Sequence, residues 1–444
     1  MAAITDPELS PPVPSLSLDQ LHDSLSDPLL GSISFLNEVM GRYPDAISFA
    51  PGAPHPSIFT EINIDSYTRR FIAHLVQGRG LTEAQARRTM FEYGPSRGLI
   101  NDLVTDALRR DYGMDIDSDS VVITVGAQEG MLLSLRALCA KPQDVLAVVN
   151  PCFAGIAGAA RVLGLPVIGI DESSAGVDLD ALRQECRAAR HRGQRIRACY
   201  VAPDFSNPGG SRMPLENRRS LLELAEREDF YVLEDNAYGF TAPTAAEIPQ
   251  LKALDVGRRV VHIGTFAKVC FPGSRVGYVV ADQPVQAAGG TQLLAHHLAA
   301  LKSMVTVNTS PLGQAVIGGM LLEHGGSLLE LSSKKAALYR RNLAHLSHAL
   351  DQNLGDVHPS IRWNRPEGGF FIRMEIPMRA DMNLLEVSAA KYGVLWTPMS
   401  QFYLGSAGDC EMRLSCSYLT LEEIDEGVQR LASFLKKETS QPRR

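Results

Sequence analysis

A lysine close to a hydroxyl and an arginine is the strongest chemical feature of the sequence. Lys268 ends the segment TFAK at 265–268, directly after the apolar run 260–263, and Arg275 follows seven residues later. Burial and neighbouring positive charge lower the pKa of a lysine, so that its neutral amine becomes available as a nucleophile. We therefore predict that Lys268 is a Schiff-base nucleophile. A single lysine on a loop is more often an exposed surface residue, so the prediction depends on the residues that accompany it.

Further small or polar residues follow three other apolar runs. They are Gly126, Ala127 and Gln128 after SVVITV, Asn207 in PDFSNPGG, and Asp235 in EDNAY. Small residues at the start of a helix let its backbone N–H groups and its dipole bind an anion. A buried carboxylate is costly unless a cation neutralises it. Each segment alone also fits a plain turn or a helix cap, so it is their combination that indicates a site.

Short apolar runs alternate with longer helical stretches, and this alternation predicts the elements that position those residues. We predict strands at 120–125, 145–149, 166–170, 197–202, 231–233, 260–263 and 276–280, and helices at 128–139, 153–163, 179–191 and 215–228. Strands of this length between helices form βα units and a largely parallel sheet, so the predicted fold class is α/β. Ligands bind at the carboxyl ends of such strands, which is where the polar residues lie.

The pattern changes after residue 315 and predicts a second, smaller α+β domain. Helices are expected at 313–322, 328–353 and 421–437, and strands at 368–375 and 411–417. We predict an N-terminal tail at 1–30, an arm at 31–80 that contributes to the small domain and the active site, a large domain at 81–315 and a small domain at 316–444. Within the tail, the leucines at 21, 25, 29 and 30 are spaced as in a short helix.

Composition excludes several classes of protein. The 444 residues carry a net charge of −7, which argues against a nucleic-acid binder, and no apolar run is long enough for a membrane span. The seven cysteines contain no C-x-x-C pair, so we expect neither a disulfide framework nor a metal site, and we expect a cytoplasmic protein. Residues 1–41 contain no Lys or Arg, so neither a secretory leader nor an Arg-rich transit peptide is expected there.

The ordered set of motifs resembles the class I/II aminotransferases, which are pyridoxal-phosphate (PLP) enzymes of fold type I, and most of all the branch with 2-aminoadipate and kynurenine aminotransferases. The motifs are ISFAPGAPHP at 47–56, YGPSRGL at 93–99, VGAQEG at 125–130, PDFSNPGG at 203–210, EDNAYG at 234–239, TFAKVCFPGSRVGYV at 265–279, EGGFF at 367–371 and MRLSCSY at 412–418. The resemblance extends from Ile47 to the C-terminal helix. It implies a large domain with a mainly parallel seven-stranded sheet and a smaller α+β domain.

The resemblance also implies a role for each candidate residue. Lys268 is expected to form the Schiff base with PLP and to transfer the proton, Asp235 to bind the ring nitrogen, Tyr238 and Asn207 to bind the ring hydroxyl, and Phe153 to stack on the ring. The phosphate is expected to contact Gly126, Ala127, Gln128, Thr265 and Arg275, together with Tyr93 from the neighbouring subunit of a homodimer. Arg413, Asn207 and Gly52 are expected to contact the substrate, with Arg413 gripping its α-carboxylate.

The implied activity is ping-pong transfer of an amino group between an α-amino acid and a 2-oxo acid. The sequence departs from the family pattern at Ala267 beside the lysine, at Asn236-Ala237, at Met399 and at Cys416, but the cofactor-binding set is intact. The same scaffold supports other PLP reactions, so the alternatives are β- or γ-elimination or replacement, decarboxylation, and C–C bond formation. The nearly neutral stretch 35–59 in the arm favours apolar or extended substrates over dicarboxylic ones.

Two other classes of protein are disfavoured. The segment GPSRG at 94–98 matches the G-x-S-x-G turn of serine hydrolases, with Ser96 as nucleophile, but that turn needs a buried strand before it and 82–90 is predicted as a helix. We interpret Ser96 as the N-cap of a helix at 99–110. A transcription regulator with this fold behind a winged-helix domain is also disfavoured, because the N-terminal part is short and lacks a basic recognition helix.

Overall fold

The computed structural model describes residues 15–27, 38–39, 41–173, 175–243 and 248–440. Near its start the chain forms two short 3-10 turns, Leu18–Gln20 and Asp23–Ser26. The side chains of Leu21 and Leu25 are more than one third exposed, so the packed helix predicted for the leucines is wrong for this pair. The other two leucines of that prediction, at 29 and 30, lie outside the described residues.

Strands and helices alternate along much of the described chain. The strands are β1 (Ile47–Ser48), β2 (Val121–Thr124), β3 (Asp144–Asn150), β4 (Val167–Ser173), β5 (Gly176–Val177), β6 (Arg195–Val201), β7 (Tyr231–Asn236), β8 (Val260–Thr265), β9 (Gly277–Val280), β10 (Pro284–Ala287), β11 (Gly290–Leu293), β12 (Arg362–Trp363), β13 (Phe371–Glu375), β14 (Val394–Leu395), β15 (Thr397–Pro398) and β16 (Glu411–Ser415). The α-helices are α1 (Ile64–Arg79), α2 (Glu83–Arg88), α3 (Asn101–Tyr112), α4 (Gly126–Leu138), α5 (Ala154–Val162), α6 (Leu179–His191), α7 (Leu215–Glu228), α8 (Leu251–Leu254), α9 (Phe266–Val269), α10 (Leu294–Val305), α11 (Pro311–Glu323), α12 (Leu328–Leu354), α13 (Met382–Val387) and α14 (Leu421–Thr439). Within these ranges, every helix is too short or too polar to cross a lipid bilayer.

The large sheet has the strand order β2-β9-β8-β7-β6-β3-β4-β5. The pairs from β8 to β4 are parallel, whereas β9 is antiparallel to both of its neighbours and β5 is an antiparallel edge strand. The resemblance predicted seven strands, and the sheet has seven longer strands plus the two-residue β5. The mainly parallel α/β fold is confirmed.

Helices cover both faces of this sheet, and its central strands are therefore buried on both sides. In β7, Val232 packs in a cluster with α6 and α7, and the next residue, Leu233, packs in a cluster with α4, α5 and α10. Side chains alternate along a strand, so Asp235 lies on the same face as Leu233 and Glu234 lies on the opposite face. This alternation separates two sets of buried charges.

A second sheet has the order β12-β13-β16-β15 and is antiparallel, and β1 pairs with β14 beside it. Its core includes side chains of α12 and α14. The long helix α12 contributes Tyr339 to the core beside the large sheet and Leu346 to the core of the second sheet. The domain boundary at 315 and 316 stays a prediction. In β16, Arg413 lies opposite Arg373 and Thr397.

Candidate active site

A cavity of about 450 Å³ lies at the carboxyl ends of β6, β7 and β8, where β16 approaches the large sheet. Most of the predicted site residues line it: Gly52, Ala127, Gln128, Phe153, Asn207, Asp235, Tyr238, Thr265, Lys268, Arg275 and Arg413. A larger cavity of about 650 Å³ lies beyond the turn at 206–211, lined by Phe205, Arg212 and Arg373 among others. In the described part of the chain, none of the predicted site residues lines that larger cavity, so the smaller one is the candidate active site.

Lys268 lies in α9, immediately after the end of β8. The Thr265 hydroxyl caps this short helix by accepting a hydrogen bond from the N–H of Ala267 at 3.2 Å. The Lys268 amine faces the cavity and donates to the carbonyl oxygen of Gly52 at 2.6 Å. Burial, and then the nearby guanidinium groups, lower the pKa of Lys268 to about 8. The neutral amine is therefore accessible near neutral pH, as a nucleophile requires.

Asp235, near the end of β7, is buried and only partly hydrogen bonded. Its Oδ2 accepts a hydrogen bond from the hydroxyl of Tyr200 at 2.6 Å. Its Oδ1 is buried and has no hydrogen-bond partner among the described residues. Burial raises the pKa of Asp235 to about 6, against the hydrogen bond from Tyr200, which lowers it. A buried carboxylate oxygen without a donor is costly, so Oδ1 is suited to a cationic N–H group of a ligand.

An anion cradle lies at the N-terminus of α4. Gly126 begins this helix with φ of +72°, and a Cβ there would lie 2.6 Å from Nη2 of Arg275. A Cβ on Gly277 would lie 2.7 Å from the carbonyl carbon of Gly126. Gly126 thus lets the guanidinium approach the helix end, which has no side-chain cap, and Gly277 lets β9 approach the same helix end. Free N–H groups, a helix dipole and a guanidinium form a site for a phosphate group.

Arg413 is buried between two aromatic rings. Its guanidinium carbon lies 4.3 Å from the ring centre of Phe371 and 4.6 Å from that of Phe402. Its Nη1 donates to Oδ1 of Asn207 at 2.6 Å, its Nη2 donates to the carbonyl of Ala50 at 2.8 Å, and its Nε has no partner among the described residues. Burial lowers the pKa of Arg413 to about 10. A buried guanidinium without a carboxylate is suited to a carboxylate of a ligand.

The remaining walls are aromatic and backbone. Tyr238 is buried edge-on against Phe371, and burial raises the pKa of its phenol far above the ordinary value, with Asn207 as a hydrogen-bond partner. Phe153 lines the cavity from the start of α5. The carbonyl of Gly52 accepts from Lys268, and a Cβ there would lie 2.7 Å from Cζ of Phe371, while its expected contact with the substrate stays a prediction.

Three predicted residues are not part of the cavity lining: Gly126, which begins α4 beside it, Tyr93 and Ser96. The side chain of Tyr93 is 88% exposed on this chain. The interpretation of Ser96 as a helix N-cap is wrong, because α3 begins at Asn101 and Ile100 occupies its N-cap position. The helix therefore starts two residues later than the predicted start at 99. Among the described residues, no histidine lines the cavity, so a serine hydrolase has no support there.

The sequence reasoning missed three contributors to the site. They are Tyr200, which donates to Asp235, and the rings of Phe371 and Phe402, which enclose Arg413. Tyr200 lies in the run RACYVA, and the sequence carries no signal for its contact with Asp235, because that contact depends on the register of β6 against β7. The two rings are far apart in sequence, and their approach depends on how the second sheet packs.

A family model for aminotransferase class I and II matches residues 69–431. The chain belongs to this family. Among its relatives, it is 45% identical over 428 residues to the (S)-3,5-dihydroxyphenylglycine transaminase of Amycolatopsis orientalis, covering 96% of each chain. It is 29% identical over 401 residues to the 2-aminoadipate transaminase of Thermus thermophilus, covering 88% of this chain and 91% of the relative. The expected family, the aminotransferase activity and the PLP cofactor are confirmed.

Solved structures agree with this assignment. The crystal structure of the α-aminoadipate aminotransferase LysN from Thermus thermophilus, complexed with N-(5'-phosphopyridoxyl)-L-leucine, has a TM-score of 0.78 at 26% identity, covering 96% of this chain and 100% of that one. The kynurenine aminotransferase of Pyrococcus horikoshii has a TM-score of 0.77 at 27% identity, covering 91% and 94%. The cavity of this aminotransferase also fits PLP. It offers an unpaired carboxylate oxygen at Asp235, an uncapped helix end beside Arg275, and an amine of lowered pKa at Lys268.

Proposed function

We propose that this aminotransferase acts on an α-amino acid whose side chain is uncharged and aromatic, as the name of its Amycolatopsis relative indicates for that enzyme. The observation that carries the proposal is the number of cations. Among the described residues, the cations that line the cavity are Lys268, Arg275 and Arg413, and each already has a partner group in the proposed chemistry. A dicarboxylic substrate needs a further cation for its side chain.

The rest of the lining supports the same substrate class. The lining includes Pro51, Pro54 and Phe402, whose ring contacts Arg413, with the amide of Gln401 as a polar group. In the arm, the sequence from 31 to 37 contains no Lys or Arg. An apolar wall with one amide fits an aromatic ring that carries hydroxyl groups better than it fits a second carboxylate.

We propose that PLP is held through its ring nitrogen, its phosphate and its hydroxyl. Asp235 keeps a proton on the ring nitrogen, and Asn207 and Tyr238 orient the ring hydroxyl. The N–H groups of Ala127 and Gln128, with Thr265 and Arg275, would hold the phosphate, and Phe153 would pack on the ring. When bound, PLP supplies an aldehyde for the Lys268 amine and a ring that withdraws electrons from the substrate.

Lys268 has a second task, which is to move a proton. The pKa of its amine, lowered to about 8, would let it accept a proton from the substrate Cα near neutral pH and deliver that proton to the carbon of the cofactor's aldehyde group. Arg413 binds the α-carboxylate through its planar fork and so orients the Cα–H bond. The rings of Phe371 and Phe402 hold the guanidinium plane in place before the substrate arrives.

We propose that the active unit is a homodimer. Exposed apolar side chains support this, since Phe91 is 80%, Tyr93 is 88% and Met304 is 83% exposed, and such residues tend to mark an interface. In the dimer, Tyr93 of the partner subunit would complete the phosphate cradle. Substitution Tyr93→Phe is expected to weaken PLP binding without changing the oligomeric state, measured by cofactor titration and light scattering. A monomer in solution would contradict this proposal.

We also propose a cytoplasmic location. Its support is the free thiols, because Cys139, Cys152, Cys186, Cys199, Cys270, Cys410 and Cys416 are all unpaired. Reduced cysteines are typical of reducing compartments. Fractionation of the native source, with immunodetection of the protein, tests this proposal.

One experiment tests the reaction and the substrate class together. The PLP-loaded enzyme is mixed with single amino acids and no acceptor, and conversion of the cofactor to pyridoxamine phosphate is followed by absorbance. The panel contains 3,5-dihydroxyphenylglycine, phenylalanine, glutamate and 2-aminoadipate. The aromatic amino acids are expected to convert the cofactor with a kcat/KM at least about tenfold above the dicarboxylic ones. Faster conversion by glutamate, or release of ammonia or of a leaving group, would contradict the proposal.

A further inference from the structure

A tyrosine that also lines the cavity donates a hydrogen bond to the carboxylate that faces it. Tyr200 in β6 is 2% exposed, and its hydroxyl lies 2.6 Å from Oδ2 of Asp235 in the neighbouring strand. In the register of the two strands Tyr200 pairs with Leu233, so Asp235 is its diagonal neighbour on the same face. Around it are apolar side chains of the core between the sheet and α4 and α5.

The direction of this hydrogen bond is fixed. Burial and the nearby carboxylate hold the pKa of Tyr200 well above its ordinary value, so the phenol keeps its proton. A carboxylate accepts and a protonated phenol donates, so Tyr200 is the donor. The phenol therefore occupies one oxygen of Asp235 and leaves the other, Oδ1, without a partner among the described residues.

We propose that Tyr200 is a positioning residue that fixes the Asp235 carboxylate, so that Oδ1 is presented to the ring nitrogen of the cofactor. The inference rests on the proposed role of Asp235 and goes beyond it. Without the phenol, both carboxylate oxygens would lack a fixed donor and the group could rotate about its Cβ–Cγ bond. A fixed acceptor loses less conformational freedom on binding, which strengthens the hydrogen bond to the ligand.

The phenol also affects the charge of Asp235. The titratable groups that influence Asp235 are Tyr200, His262, Glu234, Lys268 and Tyr238. Of these, Tyr200 is the one that donates a hydrogen bond to the carboxylate. A hydrogen bond to the charged form of an acid lowers its pKa. Loss of the phenol would therefore raise the pKa of Asp235 above its value of about 6 and leave a smaller charged fraction at neutral pH.

The experiment compares two ligands on the apo-protein. One is PLP, and the other is an analogue of PLP in which a C–H group replaces the ring nitrogen. Their dissociation constants are measured by fluorescence titration for the wild type, for Tyr200→Phe and for the control Tyr278→Phe. The titrations run between pH 5.5 and 8.5, a range that includes the pKa of Asp235 of about 6. The control removes a buried phenol from the same sheet at a residue outside the cavity lining.

The wild type is expected to prefer PLP over the analogue, because only PLP has the nitrogen that Oδ1 binds. In Tyr200→Phe the affinity for PLP at pH 7 is expected to fall about tenfold while the affinity for the analogue is unchanged. The wild type is expected to lose its preference for PLP below about pH 6. In Tyr200→Phe this loss is expected at a higher pH. Tyr278→Phe is expected to keep the wild-type ratio of the two affinities.

Three outcomes separate the inference from the assignment on which it rests. Equal loss of affinity for PLP and the analogue in Tyr200→Phe would overturn the inference, since it would indicate a packing role. An unchanged preference for PLP in Tyr200→Phe would also overturn it. A wild type without any preference would instead overturn the role of Asp235. If Tyr200→Phe folds poorly, the same substitution is made in an Asp235→Asn background. No further change in the ratio of the affinities for PLP and the analogue is expected there, and a further change would overturn the inference.

Discussion

Two sets of charged side chains lie inside the protein and are partnered differently, and their carboxylates lie on opposite faces of β7. The cavity set consists of Lys268, Asp235 and Arg413. The paired set consists of Lys252, Glu234 and Arg218. Each set has one lysine, one carboxylate and one arginine, so the same chemical groups can be compared in two environments. The cavity set keeps its charged groups available to a ligand, whereas the paired set binds its charged groups to other residues of the protein.

The carboxylates are neighbours in sequence. Glu234 accepts hydrogen bonds from His262 at 2.8 Å and from the N–H groups of Leu251 and Lys252 at 2.7 and 3.0 Å. Asp235 accepts a hydrogen bond from a phenol at one oxygen, and the described residues leave its other oxygen without a partner. The pKa of Glu234 is lowered by the charge of His262 and by its hydrogen bonds in spite of burial, whereas burial raises that of Asp235.

The cations differ in the same way. Arg218 is fully buried, with both oxygens of Asp204 and three backbone carbonyls as acceptors, while Arg413 has an amide, a hydroxyl and a carbonyl and, among the described residues, no carboxylate. Lys252 contacts the carboxylates of Asp255 and Asp282, and Lys268 contacts one carbonyl. A charge without a counter-charge destabilises the empty protein, and a ligand that supplies the counter-charge recovers that cost.

The largest difference is expected between the two lysines. Lys268→Ala removes both the nucleophile and the proton carrier, so kcat is expected to fall by at least about 10⁴-fold while the thermal midpoint of the apo-protein stays the same or rises. Lys252→Ala removes the buried cation that Asp255 and Asp282 share and is expected to cost about 3–5 kcal/mol of the free energy of unfolding. Turnover and urea denaturation measure the two effects. A folded Lys268→Ala variant with substantial turnover would break the comparison.

The carboxylates are expected to give the next effect. Asp235→Asn cannot hold a proton on the ring nitrogen of PLP, so kcat/KM is expected to fall by about 10³-fold, with little change in the stability of the apo-protein. Glu234→Gln keeps the shape of the side chain but weakens its bond to His262, and about 1–3 kcal/mol of stability is expected to be lost with kcat retained. Steady-state kinetics and denaturation of both variants test this. Loss of stability in Asp235→Asn alone would contradict it.

Much of the fold could be predicted from the sequence. The helices predicted at 179–191 and 215–228 have those bounds in the structure, because a capping Asp178 or a preceding proline defines their starts. The polar residues after separate strands meet at one cavity, since the carboxyl ends of parallel strands share one edge of a sheet. Strand order and antiparallel pairing, as for β9, depend on contacts between distant segments that periodicity does not report.

The parts that were missed depend on geometry between elements. Tyr200 reads as one more aromatic residue in a buried strand, and only the register of β6 against β7 shows that it contacts Asp235. The capping role predicted for Ser96 fails, because the chain continues through a turn and α3 starts at Asn101. A capping pattern reports which residue is able to cap, whereas the start of a helix also depends on tertiary packing.

The two arginines are expected to differ by a smaller factor. Arg413→Leu removes the partner of the substrate carboxylate, so kcat/KM is expected to fall about 10–100-fold, mainly through a higher KM, with PLP still bound. Arg218→Leu leaves Asp204 buried without its closest cation and is expected to lower stability by about 3–5 kcal/mol. The absorbance of bound PLP distinguishes lost cofactor from lost substrate binding. An unchanged KM in Arg413→Leu would overturn its assigned role.

The smallest expected effect links two members of the cavity set. The pKa of Lys268 is lowered to about 8, mostly by burial, then by the positive charge of Arg413 and then by that of Arg275. Since a nearby positive charge disfavours a protonated amine, removing the guanidinium in Arg413→Leu is expected to raise the pKa of Lys268, by less than about one unit because burial remains. The rate at which an amine-specific reagent modifies Lys268 in the apo-protein, followed by peptide mass spectrometry across pH, gives the midpoint. Because the neutral amine reacts, the rate should rise through pH 8 in the wild type and at a higher pH in Arg413→Leu, whereas an unchanged or lower midpoint would show that the two cations do not influence each other.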